Sequence, residues 1–304
     1  MKDFLSILDC STEFLKDLLR TSIRLKKLYA VGGNEFCLVG KTLAMLFEKP
    51  SLRTRISFQV AMTNLGGHSI DIKPEDIGGI GKREPIRDMA RVLSRYVNGI
   101  TARTFRQETV VELAKYSSVP VINALTDWAH PCQAMADIMT IEEHFEDIKG
   151  IKIAFIGDGN NVARSLAFAC GKFGMKMVVA SPSGYELDRD TIEKANALSA
   201  ECLLQTNDPR QAVKGADVVY TDTWVSMGQE SEKQKRQADF TGFQVNSELL
   251  KGASAGVKIM HCLPAYRGLE ITDEVLDSPN SIIFDQSENR LHFQRALLKK
   301  LLGK

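Results

Sequence analysis

A chain of 304 residues is long for a single hydrophobic core, so its length favours two domains. With 44% hydrophobic residues, 25% charged residues and a formal net charge of +1, the composition is that of an ordinary globular protein and argues against broad, non-specific binding of nucleic acid. The opening residues, MKDFLSILDCSTEFL, do not have the pattern of a signal peptide, and no segment reaches the roughly 20 apolar residues of a membrane span.

The first half of the chain reads as strands alternating with helices, which is the pattern of a parallel sheet covered by helices. The predicted strands lie at 36–40, 42–48, 67–72, 98–103 and 119–125. The predicted helices lie at 51–65, 84–96, 107–118 and 131–146.

The second half, after a boundary near residue 148, opens with a strand, a glycine turn and a helix over residues 151–174. Later predicted elements are strands at 175–181, 201–207 and 256–265, a strand that begins at 217, and helices at 190–200 and 288–304. We therefore predict an α/β fold with two doubly wound parallel-sheet domains and a cleft between them. The domains are residues 1–148 and residues 149–287, with helix 288–304 packing back on the first.

Positive charge is concentrated after the second predicted strand, in KPSLRTRISF (49–58). Arg53 and Arg55 fall in the first turn of a helix, an end that is already positive. Ser51 stands in the N-cap position, and the amides after it point outward unsatisfied. A lone serine cap would indicate only a solvated turn, but two arginines beside it predict a phosphate site.

Other polar segments follow strands where a parallel sheet exposes its functional edge. Arg103 ends one strand, and HPCQ (130–133) opens a helix. DTWVSMG (222–228) and HCLPA (261–265) follow two strands of the second half. Each segment alone would more often be a surface arginine, a helix entry, a turn or a core cysteine, whereas the set predicts a binding site.

The turn in FIGDGNNVARS offers a rival interpretation, because it resembles a dinucleotide-binding fingerprint. Val162 occupies the third glycine position, and the next strand ends in VVASPSG without the acidic residue that would bind a ribose. NAD binding is therefore a weak interpretation, and Asn160 and Asn161 are better interpreted as polar ligands for a small zwitterion.

The cysteines and histidines suggest neither a disulfide framework nor a metal site. Six cysteines are scattered without a CxxC pair, which favours reduced thiols in a cytoplasm, and five histidines show no HExxH spacing. We therefore expect no structural or catalytic metal.

Five motifs, SLRTR, HPCQ, DTWVSMG, HCLPA and FDQSENRLH, resemble those of the carbamoyltransferases in order and spacing over nearly the whole chain. Cys132, Cys262 and the SMG loop make the chain most similar to the ornithine branch, since the aspartate branch typically has threonine at the first position and no cysteine at the second. The resemblance implies transfer of the carbamoyl group of carbamoyl phosphate to the δ-amine of L-ornithine, a step of arginine biosynthesis, without metal or cofactor.

Carried over residue by residue, the resemblance implies two substrate sites. Its carbamoyl phosphate site comprises Ser51, Leu52, Arg53, Thr54, Arg103, His130, Gln133, Cys262, Leu263 and Arg290. Its ornithine site comprises Asn161, Asp222, Ser226 and Met227. The catalytic residues would be Arg103 and His130, which polarise the carbonyl, and Cys262 and Asp222, which orient the amine.

Some positions depart from the family pattern. Leu52 stands where threonine is common, and Gly79 stands where many members carry a glutamine that reaches a neighbouring subunit. Gln59 and Gln286 replace acids common in the family and receive no role.

The resemblance also implies a cytoplasmic homotrimer with small-molecule substrates and no nucleic-acid or membrane partner. The charged segment 226–240 predicts a mobile lid rather than a packed element. Three alternatives stay open: a carbamoyltransferase for putrescine or an acylated ornithine, an NAD-dependent dehydrogenase, and a binding paralogue without catalytic activity.

Overall fold

The structure, a computed structural model, describes residues 1–226 and 228–303 and divides into two compact units. One unit comprises Met1–Met139 with Glu288–Lys304, and the other comprises Thr140–Ser287. Within the described part of the chain, no helix combines the length and apolarity needed to cross a membrane.

Strands and helices alternate from the N-terminus to residue 144. These elements are α1 (Thr12–Ala30), β1 (Thr42–Phe47), α2 (Leu52–Asn64), β2 (His68–Ile72), α3 (Ile86–Tyr96), β3 (Gly99–Arg103), α4 (Gln107–Tyr116), β4 (Val121–Leu125) and α5 (Pro131–His144).

The same alternation continues to the C-terminus. These elements are β5 (Lys152–Ile156), α6 (Asn161–Phe173), β6 (Lys176–Ala180), α7 (Arg189–Leu198), β7 (Leu203–Thr206), α8 (Pro209–Val213), β8 (Val218–Thr221), α9 (Lys233–Asp239), α10 (Ser247–Leu250), β9 (Lys258–His261), α11 (Asp273–Leu276) and α12 (Ile283–Leu302).

The first unit contains a parallel sheet with strand order β2-β1-β3-β4. The chain runs outward in one direction from β1 and in the other from β3, so these two neighbours form the switch point of the sheet. Ligands of doubly wound sheets bind outside the carboxyl ends of the strands at such a point. The segments that follow β1, β3 and β4 are therefore the places to look for a site.

The core of this sheet explains why β1, β3 and β4 are buried along almost their whole length. Leu46 of β1 and Ile100 of β3 are fully buried and belong to one cluster with Met89 of α3 and Val110 and Leu113 of α4. Strands covered by helices have no solvent face, so they lose the alternation of apolar and polar residues.

The second unit contains a five-stranded parallel sheet with order β7-β6-β5-β8-β9. Its switch point lies between β5 and β8, and β9 is an edge strand. Both sheets agree with the predicted fold class of two parallel-sheet domains flanked by helices.

Segment 228–240, which the sequence predicted to be part of a mobile lid, packs against other residues of its unit. It contains helix α9, whose Arg236 is 6% exposed and donates a hydrogen bond to the Asp158 carboxylate at 2.8 Å. Phe240 is fully buried, with its ring centroid 5.6 Å from that of Trp224. The expectation that the segment does not pack was wrong, because one charged and one aromatic residue anchor its C-terminal part.

Other elements also differ from the sequence prediction, among them the short helices α8, α10 and α11, which were not predicted. Helix α1 was not predicted, although Ser11 caps it and buried Leu15, Leu18 and Leu25 recur at helical spacing. Residues 36–40 form turns rather than a strand, and α12 begins at Ile283 rather than at residue 288.

A charged contact in the loop between α1 and β1 gives a testable prediction about stability. Glu35 accepts hydrogen bonds from Arg24 of α1 and Lys299 of α12, and the Arg24 contact, chiefly, lowers the pKa of Glu35 from 4.5 to about 2. A carboxyl group whose pKa is lowered in the folded state stabilises the fold at pH values above its pKa in the unfolded chain. That stabilisation is lost as the pH falls from about 4.5 towards 2.

We expect Glu35→Gln to lower the free energy of unfolding at pH 7 by about 1 kcal/mol, since Arg24 is half exposed and solvent screens the pair. The difference from wild type should shrink as pH falls below 4.5. Thermal denaturation between pH 3 and 7 measures it, with exposed Glu84→Gln as the control. A difference that does not depend on pH would contradict the ionic origin.

Candidate active site

The first turn of α2 follows the carboxyl end of β1 and combines a helix N-terminus with positive side chains. Ser51 has an extended backbone, and its Oγ accepts a hydrogen bond from the Thr54 N–H at 3.3 Å. The turn itself, Leu52–Arg55, contains no acidic residue. The cap fixes the helix start, so the positive end of the helix dipole and an arginine lie together.

The two arginines of this turn are both half-buried. Arg55 donates to the Asp71 carboxylate of β2, and its guanidinium lies 5.5 Å from the centroid of the Phe47 ring. The sequence offered both arginines for an anion, and the resemblance to carbamoyltransferases assigns Arg53, not Arg55, to the phosphate. Leu52 is 70% exposed, so the polar group it can offer is its backbone amide.

Arg290 brings a third cation to the same turn. It lies on α12, is 3% exposed, and its Nη2 donates a hydrogen bond to Oγ1 of the fully buried Thr54. The contact joins residues 236 positions apart in the chain, so it depends on how α12 packs within the first unit.

Arg103 and His130 follow the neighbouring strands β3 and β4 and are 6% and 4% exposed. Burial lowers the pKa of His130 well below its ordinary value of 6.5, and the charges of Arg290 and Arg103 lower it further. The imidazole is therefore neutral near pH 7. A neutral imidazole can donate one hydrogen bond to a carbonyl oxygen without adding a third positive charge.

Gln133 lies in the first turn of α5 and is 1% exposed. Its Nε2 donates to the Asp137 carboxylate at 2.9 Å, which fixes the orientation of the amide. Its Oε1 has no hydrogen-bond partner among the described residues and so remains an acceptor for an N–H group. Together with Arg103 and His130, it can recognise a group that carries both a carbonyl oxygen and an N–H.

In the second unit, Asp222 follows β8, is 6% exposed and accepts several hydrogen bonds. Its Oδ1 accepts from the Thr223 N–H at 2.8 Å and from Cys262 Sγ at 2.9 Å. Its Oδ2 accepts from Asn160 Nδ2 at 2.8 Å. A carboxylate fixed by three donors is suited to hold an ammonium group at a defined position.

Cys262 and Leu263 lie on a tight turn after β9, and His261 holds that turn. The His261 Nε2–H donates to Glu270 Oε1 at 3.1 Å, and Nδ1 accepts from the Leu263 N–H at 2.9 Å. Leu263 has a φ of +56°, a left-handed conformation unusual for leucine. Sequence reasoning gave His261 and Glu270 no role, and the histidine beside Cys262 was the available signal.

Asn160 is the N-cap of α6, and its Oδ1 accepts from the Val162 N–H and the Ala163 N–H at 2.9 and 3.1 Å. These amides are the ones that a dinucleotide phosphate would use. A Cβ on Gly159 would lie 2.4 Å from the Leu187 nitrogen, so backbone already covers this turn. Both observations argue against NAD binding here.

The remaining predicted ornithine residues are Asn161, Ser226 and Met227. Asn161 begins α6 and is half-buried. Ser226 is half-buried too, and its N–H donates to Gln229 Oε1 at 3.0 Å. Met227 lies outside the described residues.

Asp222, His261 and Cys262 could together offer three metal ligands, since their ligand atoms lie within 4.8 Å of one another. Both ring nitrogens of His261 already take part in hydrogen bonds, however, and Asp222 is held by three donors. A metal would have to displace those contacts, so the donor set fits a metal poorly.

Comparison with known proteins assigns both halves of the chain to one family. The family model for the aspartate/ornithine carbamoyltransferase carbamoyl-P binding domain matches residues 2–143, and the model for the Asp/Orn binding domain matches residues 149–301. The chain belongs to the aspartate/ornithine carbamoyltransferase family.

Relatives within this family are similar over their full lengths. The ornithine carbamoyltransferase of Pyrococcus abyssi is 51% identical, covering 99% of this chain and 96% of the relative. That of Methanosarcina mazei is 51% identical, covering 99% of both chains. The solved structure of ornithine carbamoyltransferase from Pyrococcus furiosus superposes with a TM-score of 0.96 at 50% identity, covering 99% of this chain and 97% of that one. The predicted resemblance to carbamoyltransferases, and to their ornithine branch, is confirmed.

Proposed function

We propose that the chain is an ornithine carbamoyltransferase, which transfers the carbamoyl group of carbamoyl phosphate to the δ-amine of L-ornithine and releases L-citrulline and phosphate. The observation that carries the proposal is a neutral, buried His130 beside two buried guanidiniums in the same unit as the N-terminus of α2. This set offers one neutral donor for a carbonyl oxygen and several positive groups for a phosphate.

For carbamoyl phosphate, we propose that Ser51, Arg53 and the amides of Leu52 and Thr54 bind the phosphate. Arg103, His130 and the Thr54 hydroxyl polarise the carbonyl and stabilise the oxyanion of the tetrahedral intermediate. Gln133 Oε1 accepts from the carbamoyl N–H, since Nε2 is committed to Asp137. Arg290 supports Thr54 and adds positive charge, and Cys262 and Leu263 complete the contacts.

For ornithine, we propose that Asp222 and Asn161 hold the α-amino and carboxylate end, with Ser226 and Met227. The δ-amine attacks the carbonyl carbon as a neutral group, forms the C–N bond and then loses a proton as the C–O bond to phosphate breaks. Cys262 orients the amine and forms no covalent bond. Its Sγ–H donates to Asp222, which supports a positioning role rather than a free thiolate.

Each substrate is assigned to the domain that contains most of its proposed binding residues. Residues 1–148 with the C-terminal helix 288–304 are proposed to bind carbamoyl phosphate, and residues 149–287 to bind ornithine. The extents of the two family domains, 2–143 and 149–301, support a division near residue 148.

A colorimetric citrulline assay tests the function directly. Ornithine, putrescine, acetylornithine and aspartate are offered in parallel with carbamoyl phosphate, and we expect product with ornithine at least roughly 10²-fold faster than with the others. Faster turnover of putrescine or acetylornithine would reassign the substrate. Binding of carbamoyl phosphate without any product would identify a binding paralogue.

We also expect the substrates to bind in order. Carbamoyl phosphate brings negative charge to Arg53, Arg103 and Arg290, which would otherwise disfavour a cationic amino acid. The affinity for norvaline, an ornithine analogue without the reactive amine, should therefore rise at least about tenfold when carbamoyl phosphate is present. Calorimetry with and without carbamoyl phosphate measures this, and equal affinities would exclude the ordered scheme.

We further propose a homotrimer that works in the cytoplasm. Three exposed apolar side chains support association through α2 and the edge strand β2, namely Leu52, Ile56 and Ile70 at 70%, 50% and 51% exposure. All six cysteines are free thiols, which suits a reducing compartment. Light scattering coupled to size-exclusion chromatography measures the mass, and a monomer would contradict the trimer.

A further inference from the structure

Strand β9 is an edge strand, so its outer side requires hydrogen-bond partners that no neighbouring strand supplies. The backbone N–H of Lys258 donates to the Asp217 carbonyl on the inner side of the strand. Because the backbone polar groups of successive strand residues point to opposite sides, those of Ile259 and His261 point outward. The Ile259 N–H donates to the Asn280 carbonyl, and the Ile259 carbonyl accepts from the Ile282 N–H, each at 3.0 Å. The next outward amide, that of His261, needs another acceptor.

That acceptor is the side chain of Gln286, in the first turn of α12. Its Oε1 accepts from the His261 N–H at 2.9 Å, and its Nε2 donates to the Tyr220 hydroxyl at 2.9 Å. Gln286 and Tyr220 are both fully buried. A side-chain amide thus extends the outer ladder of β9 by one hydrogen bond and ties it to β8.

The position of this contact matters because β9 ends at His261. Cys262 and Leu263 follow at once, and the Cys262 Sγ–Asp222 Oδ1 hydrogen bond of 2.9 Å joins the ends of β9 and β8. The ring of His261 is held by Glu270 and by the Leu263 N–H. The pairing of β9 with β8 holds the strand end on its inner side, and the Gln286 contact adds a hydrogen bond to the His261 backbone on the outer side.

We propose that Gln286 is a positioning residue that fixes Cys262 and Leu263 for catalysis through the His261 backbone and Tyr220. The expected effect on catalysis rests on the proposed function.

The side-chain amide of Gln286 both accepts and donates a hydrogen bond, and this decides which residues can replace it. A glutamate keeps an acceptor for His261 and can accept from the Tyr220 hydroxyl, whereas a methionine of similar size keeps neither hydrogen bond.

The experiment compares Gln286→Met, Gln286→Glu and the control Gln234→Met, an exposed residue of α9. Citrulline kinetics and the alkylation rate of Cys262 by iodoacetamide are measured, the latter by peptide mass spectrometry. Exposed Cys37 lies in the other unit, and its alkylation rate is the internal reference that corrects for differences in iodoacetamide concentration and pH. Thermal denaturation reports overall stability.

We expect Gln286→Met to lower kcat/KM for carbamoyl phosphate about tenfold and to raise the Cys262/Cys37 alkylation ratio roughly threefold. Gln286→Glu and Gln234→Met should stay within about threefold of wild type in both readouts. If Gln286→Met does not fold, Tyr220→Phe removes the hydroxyl that accepts from the Gln286 amide and should shift both readouts in the same direction, by less.

A lower melting temperature with unchanged kcat/KM and an unchanged alkylation ratio would overturn the proposal, because it would mean a purely structural role. Loss of activity in Gln286→Glu equal to that in Gln286→Met would overturn it too. If the wild type forms no citrulline, the proposed function fails, and the alkylation ratio still decides whether Gln286 positions Cys262.

Discussion

Replacement of Arg53 by leucine is expected to lower kcat/KM for carbamoyl phosphate by roughly 10²-fold or more, since it removes a charge-assisted contact to the phosphate. Arg53 lies in the first turn of α2 next to the Ser51 cap, where the helix dipole already favours an anion. Because Arg53 is half-buried, the substitution should leave the fold intact. Steady-state kinetics with carbamoyl phosphate as the varied substrate measures the effect.

The matched control lies two residues along the same helix. Arg55→Leu removes the same charge but breaks the contact with Asp71 and the packing on the Phe47 ring. We expect this variant to lose thermal stability while keeping kcat/KM within about tenfold of wild type. Equal kinetic losses in the two variants would mean that general electrostatics, rather than Arg53 itself, binds the phosphate.

Asp222→Asn is the second substitution with a large expected effect. The Asp222 carboxylate accepts from Asn160 Nδ2, the Cys262 thiol and the Thr223 N–H. An asparagine has only one side-chain oxygen, so its NH₂ would face one of these donors, and the negative charge for the ammonium of ornithine would be lost. We expect kcat/KM for ornithine to fall by about 10³-fold.

A loss that affects ornithine and not carbamoyl phosphate would distinguish a role of Asp222 in ornithine binding from a general disturbance of the fold. The affinity for carbamoyl phosphate, measured by calorimetry without ornithine, should stay within about tenfold of wild type, because the groups proposed to bind the phosphate itself lie in the other unit and Asp222 acts on the carbamoyl phosphate site through Cys262. Asp190→Asn, at an exposed position of α7, is the control for the substitution itself. An Asp222→Asn enzyme with unchanged ornithine kinetics would remove Asp222 from the amino-acid site.

Local features could be read from the sequence where a short segment alone determines them. The apolar runs of β1 and β3, the Ser51 cap and the glycine turn before α6 depend on residues within a few positions of one another. Helix α1 was missed although its cap and spacing were present, and 36–40 was taken for a strand on apolar content alone.

The tertiary structure decided which of the candidate residues meet, because those contacts join positions far apart in the chain. Arg290 of α12 contacts Thr54 across 236 positions, and Arg55 of α2 contacts Asp71 of β2, so neither contact follows from local spacing. Gln286 could not be given a role from sequence, since its partners His261 and Tyr220 lie on two strands that only the sheet order brings together.

The sequence by itself determined the chemistry available at each strand end, because residue type and local spacing specify donors, charges and caps. It did not determine the protonation of His130, which depends on complete burial and on Arg290 and Arg103 lying close in space. Nor did it determine that Cys262 donates to Asp222, a contact that requires β8 and β9 to be neighbours. Burial and long-range contacts depend on how the elements pack, and local sequence patterns do not specify that packing.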